Sequence, residues 1–154
     1  MEDESVDWNM VSADKLVEII KHLDGFEETQ EALLELKYRD SARAAMLARN
    51  IVENSLGDDH LQAFAFHILY SIYPEQALEN FLQRREEPGK ALFVEALESL
   101  AGDFYLEERP PFLTGTLLES LKVQYERLKP CEREMLQTAW IAFERDFRAV
   151  LYTG

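Results

Sequence analysis

Residues 58–73 read DDHLQAFAFHILYSIY, and the spacing of their apolar side chains decides the fold. Leu61, Phe64, Ala65, Ile68, Leu69 and Ile72 recur at i, i+3, i+4 and i+7, the period of one helical face. Ala63, Phe66, Tyr70 and Tyr73 mark a second stripe beside it. A helix with two apolar faces has to be covered on two sides, which puts it at the centre of a domain with Phe64, Ile68 and Leu69 buried. Asp58 and Asp59 stand where an N-cap and a first-turn acid belong, since a carboxylate there accepts unpaired backbone amides. Pro74 ends the run because it has no amide hydrogen to donate to the helical ladder.

On the N-terminal side, residues 1–11 form an acidic lead, frayed unless Trp8, Met10 and Val11 fold back onto the body. Ser12 offers an N-cap for a first helix with Leu16, Ile19, Ile20 and Leu23 on one stripe and Gly25 as its stop after Asp24. Phe26 to Lys37 is a second, less regular helix in which Leu33, Leu34 and Leu36 face inward and Glu27, Glu28, Glu31 and Glu35 crowd the outside. Asp40 caps a third, SARAAMLARNIVENS, whose inner stripe of Ala44, Leu47, Ala48, Ile51 and Val52 has small residues that let a neighbour approach closely. Leu56, Gly57 and Asp58 turn the chain into the central helix.

Beyond Pro74, PEQALENFLQRR carries Ala77, Leu78, Phe81 and Leu82 on one face, with proline in its favoured first-turn position. The polar stretch RREEPG separates it from KALFVEALESLAG, lined by Phe93, Ala96, Leu97 and Leu100. DFYLEERPPFLTG, residues 103–115, has adjacent prolines and no helical period, so it is a loop. Thr116 and Glu119 match a capping box for the next helix, with Leu117, Leu118, Leu121, Tyr125 and Leu128 on one stripe. Pro130 opens the last and longest helix, in which Leu136, Ala139, Trp140, Phe143, Phe147 and Val150 hold register. The expected fold is therefore one all-α domain over residues 1–154, about eight helices in antiparallel pairs and no sheet.

Thirty acids against 16 bases give a formal net charge of −14. Such a surface repels nucleic acid and anionic lipid, whose binding depends on Lys and Arg, and favours a basic protein partner. The plainer reading of the acidity is solubility. No apolar run approaches the ~20 residues that cross a bilayer, and the acidic start, MEDESVDWNM, is unlike a secretory signal. A single cysteine, Cys131, rules out an intrachain disulfide and fits a reducing cytoplasm. Chemistry has no signature here. His60 and His67 lie about 10 Å apart along the central helix, too far to share one metal. Cys131 sits in a helical first turn near Lys129 but no base is identifiable beside it. No metal-binding or phosphate-cradling motif occurs, so neither catalysis nor a cofactor is expected.

Two surfaces are candidates for binding a partner. In the loop, Asp103, Phe104, Tyr105, Glu107, Glu108, Arg109 and Phe112 combine aromatic anchors with carboxylates on proline-stiffened backbone. The competing reading is that the three aromatics pin the loop to the core. The second surface is the acidic face of Glu27, Glu28, Glu31 and Glu35, whose competing reading is an ordinary solvated helix face.

The middle of the chain resembles a known family. Asp40, Arg43, Ala44 and Ala48, then Leu56, Gly57 and Asp58, then Gln62, Ala63, Ala65 and Leu69, and finally Pro74, Glu75, Ala77 and Leu78 are similar to HEAT-like helical repeats over residues 40–84. Echoes occur at Leu23-Asp24-Gly25 and at Leu100-Ala101-Gly102-Asp103, at unequal separations. The resemblance implies stacked helix pairs, a HEAT-like α-solenoid or an irregular helical bundle, with protein binding as the usual role. Small, acidic, cytoplasmic chains of this kind look like immunity proteins of bacterial toxin systems, which bind and neutralise a toxic domain. An adaptor, scaffold or effector chaperone shares the same features.

Overall fold

In the computed structural model, which describes residues 7–23 and 25–152, the described chain is all-helical with no strand. A 3-10 turn over Trp8–Met10 leads into α1 (Ala13–His22), α2 (Phe26–Arg39), α3 (Ser41–Glu53), α4 (Asp59–Ile72), α5 (Pro74–Gln83), α6 (Lys90–Asp103), α7 (Gly115–Arg127), α8 (Pro130–Met135) and α9 (Gln137–Tyr152). The caps read from the sequence form at Ser12, Asp40 and Asp58, whose side chains accept the amides of Lys15, Arg43 and Leu61. The turn before α4 requires Gly57, at φ +67°, because a Cβ there would lie 2.6 Å from Leu61 Cδ2.

The helices sort into two rows. In one, α1, α3, α5 and α7 touch in sequence, and in the other α2, α4, α6 and α9 do, with α1 on α2, α3 on α4, α4 on α5 and α7 on α9 across the rows. α4 packs against α2, α3, α5 and α6, which is why both of its stripes are apolar. Leu61, Ala65, Phe66, Ile68 and Leu69 are buried there, whereas Phe64, expected at the centre, is half-exposed beside α6. Phe66 of the second stripe takes that place, meeting the Phe81 ring edge-on at 5.9 Å. From Phe81 the aromatic contacts continue through Phe93 and Trp140 to Phe143, so one chain of rings ties α4 to α9.

Several boundaries differ from expectation. Residues 8–11 do fold back: the Trp8 indole donates to Glu31, and the Arg39 guanidinium donates to the carbonyls of Trp8 and Val11, although Met10 stays exposed. α2 runs on to Arg39, past the expected end at Lys37. In α2, Leu34 points outward while Leu33 and Leu36 are buried. α1 ends on Leu23, in the left-handed region at φ 54°, and Gly25 opens α2; Asp24, also part of the expected stop, lies outside the described residues. α7 starts from Thr114, whose hydroxyl accepts the Leu117 amide at 3.2 Å, not from Thr116. The long last helix breaks at Leu136 into α8 and α9, making nine helices among the described residues. α8 is tied instead to the end of α7, where the Tyr125 hydroxyl donates to the Arg133 carbonyl and the Arg133 side chain to that of Glu126. Ala139, placed on the buried stripe of that helix, is exposed, whereas Leu136, Trp140, Phe143 and Phe147 are buried.

Within the polar linker between α5 and α6, Arg84 is buried at 5% exposure and donates to Ser55 Oγ and Gln62 Oε1. Burial holds its guanidinium below the ordinary arginine range, with Glu86 and Asp59 opposing that shift.

Candidate functional site

The loop after α6 is anchored at both ends and open in the middle. Asp103 is the last residue of α6, and its carboxylate accepts the Tyr70 hydroxyl from α4. Burial, and then that carboxylate, push the Tyr70 pKa well above the ordinary phenol range. Phe104 is buried against Phe143 and Phe147 at ring separations of 5.5 and 5.2 Å. On the far side Arg109 donates to the Val150 carbonyl at 2.8 Å, and Phe112 packs on the core. Phe104 and Phe112 therefore hold the loop, as the competing reading had it for these two aromatics, and Asp103, a candidate contact for a partner, is engaged by Tyr70 as well. Tyr105 does not: it is 84% exposed, and Leu106, Glu107 and Glu108 are exposed with it. The result is a four-residue tip, anchored on both flanks, carrying one aromatic, one aliphatic and two carboxylate side chains.

The acidic face of α2 is partly occupied by the molecule itself. Glu31 accepts the Trp8 indole, and Glu35, half-buried, pairs with Arg39 at 3.0 Å. Glu27 and Glu28 remain exposed on the first turn. α2 begins the row that α9 ends, and α9 holds the loop, so the two candidate surfaces do not converge into one site.

A third surface escaped the sequence reading. A groove of about 690 Å³ between α4 and α6 has Ala63, Phe64, Ala91 and Val94 on its walls and Glu95, Glu98 and Glu132 among its charged neighbours. Across the Val94 to Glu98 ridge, a slot of about 210 Å³ opens between α6 and α9, with Leu97, Ala101, Phe104 and Phe143 in its walls and Asp146 beside it. Phe104 is thus shared between the slot and the base of the loop. Ala91, Val94, Glu98 and Ala101 repeat at helical spacing on the side of α6 away from Phe93 and Leu100, a weak second stripe that could have signalled it. On the α4 side, His67 Nδ1 stands 3.0 Å from Glu95 Oε1. That hydrogen bond raises the imidazole pKa against the opposing effects of burial and of Lys37.

For metal chemistry the described residues contain no group of three or more His, Cys, Asp or Glu side chains suited to a metal ion. His60 and Cys131 are exposed, and no helix among the described residues is long and apolar enough to cross a membrane. No protein-family model matches the chain, and no curated protein and no solved structure matches it significantly.

Proposed function

We propose that this chain is a non-catalytic inhibitor that binds a basic protein domain directly, acting in the cytoplasm as an immunity protein against a bacterial toxin. The observation that carries the reading is the loop tip, Tyr105 to Glu108, exposed yet fixed at both ends by Phe104 and by the Arg109 contact. A held tip loses little conformational freedom on binding, so its apolar anchors and carboxylates act with a small ordering cost. The net charge of −14 adds long-range attraction for a basic surface. The two-row packing fits the HEAT-like resemblance, in which stacked helices serve as a binding scaffold.

The test is to capture the partner from the native cell, produce its basic domain, and measure its activity and affinity with and without this protein. Inhibition is expected. Glu107→Lys combined with Glu108→Lys leaves the thermal midpoint nearly unchanged and weakens binding at least tenfold, about 1.4 kcal/mol. Unchanged affinity would discard the tip and turn attention to Glu27 and Glu28. Binding without inhibition would move the chain to the adaptor class.

A further inference from the structure

We propose that the groove and slot on either side of the Val94 to Glu98 ridge form one docking surface for a basic amphipathic helix of a protein partner. This rests on the reading of the chain as a binder of basic proteins, and it adds the surface and the shape of the ligand. The two depressions share Val94 and Glu98, so an occupant has to place apolar side chains on both sides of a single helical ridge. The walls that receive them are small or apolar: Ala63, Phe64 and Ala91 on the α4 side, Ala101, Ala139 and Phe143 on the α9 side. Carboxylates border both, with Glu95 and Glu132 on the first, Asp146 on the second and Glu98 on the ridge between. Lys90 and His60 also border the larger groove, Glu95 is paired with His67, and Asp146 is paired with Arg145, yet the balance stays acidic.

A helix with one apolar stripe flanked by Lys and Arg satisfies both demands at once, since its stripe fills the depressions while its cations reach the rim. A second copy of this chain meets the opposite condition, because two surfaces of net charge −14 repel. Nucleic acid is disfavoured for the same reason.

The test uses a synthetic helical peptide of Leu and Lys with Leu at i, i+3, i+4 and i+7 and Lys at the remaining positions, titrated into the whole ¹⁵N-labelled protein. Controls are a scrambled peptide of identical composition and the same pattern with Glu in place of Lys. The expected result is saturable binding of the amphipathic Lys peptide, with amide shifts concentrated at Phe64, Val94, Glu98, Ala101 and Ala139. Ala139→Trp, at an exposed position, fills the slot and weakens binding at least tenfold, and Glu98→Lys does the same through charge. Both variants are checked for an unchanged circular dichroism spectrum, and either result suffices if the other variant fails to fold. Equal binding of the scrambled peptide, shifts spread over α2, or full affinity in both folded variants would overturn the proposal. If the loop pair weakens binding of the natural partner while the groove variants do not, the groove proposal fails and the inhibitor reading stands. If neither set affects that partner, the groove proposal fails and the tip is discarded with it, while the inhibitor reading stands or falls on whether the partner is inhibited.

Discussion

The His67 imidazole bridges α4 to α6 through Glu95, and its protonation is coupled to that contact. Its folded-state pKa lies above the ordinary value near 6.5, because the hydrogen bond to Glu95 outweighs burial. The pair therefore adds stability in full below the unfolded pKa and loses it as pH rises through the higher folded value. With the His67 side chain 56% exposed, solvent screening keeps the contribution small. Glu95→Gln is expected to bring the His67 pKa down toward 6.5, read from the pH titration of the imidazole proton resonances. A pKa that stays raised in the variant would assign the shift to another neighbour. Spacing keeps His60 and His67 from sharing one metal, and the His67 side chain pairs with Glu95.

At the scale of the element, α6 shows how one helix is capped by another. Its N-cap position is Gly89, which has no side chain to offer, and the Asp59 carboxylate from α4 accepts the Ala91 amide at 2.6 Å and the Leu92 amide at 3.1 Å. Gly89 is required for that approach, since a Cβ there would sit 2.3 Å from the Asp59 carboxyl carbon. Asp59→Ala is expected to cost about 1 to 2 kcal/mol in urea denaturation, the range for a lost helix cap. Gly89→Ala is expected to cost about 1 to 3 kcal/mol by displacing the same carboxylate. Because both act on one contact, the double variant loses less than the sum. Strict additivity would show that Asp59 does not cap α6. In the sequence Asp59 was legible only as a first-turn acid of its own helix.

For the whole molecule the governing quantity is net charge. Thirty acids on 154 residues repel one another across the surface, and few of them meet a base among the described residues in buried geometry. Raising ionic strength from about 0.01 M to 0.15 M shortens the screening length from ~30 to ~8 Å, which weakens this self-repulsion. The thermal midpoint is expected to rise over that range in differential scanning calorimetry. A midpoint that falls would mean that local ion pairs outweigh the global field. The same screening is expected to slow association with a basic partner, so the working surface and the stability respond to salt in opposite directions.

Helical class, the core stripes apart from members such as Leu34, Phe64 and Ala139, and the caps at Ser12, Asp40 and Asp58 were determined by the sequence alone, because period and capping are set by residues within a turn or two of one another. The loop between α6 and α7 was legible for the same local reason, from its prolines and missing period. Tertiary structure decided which of its residues face out: Asp103 is held by Tyr70, 33 positions away, and Phe104 by rings of α9, leaving Tyr105 to Glu108 as the tip. It also chose Phe66 over Phe64 for the centre, broke the last helix at Leu136, buried Arg84 and opened the groove beside α6. Each of these depends on which helix lies alongside, and a one-dimensional pattern of apolar and polar residues does not specify its neighbour.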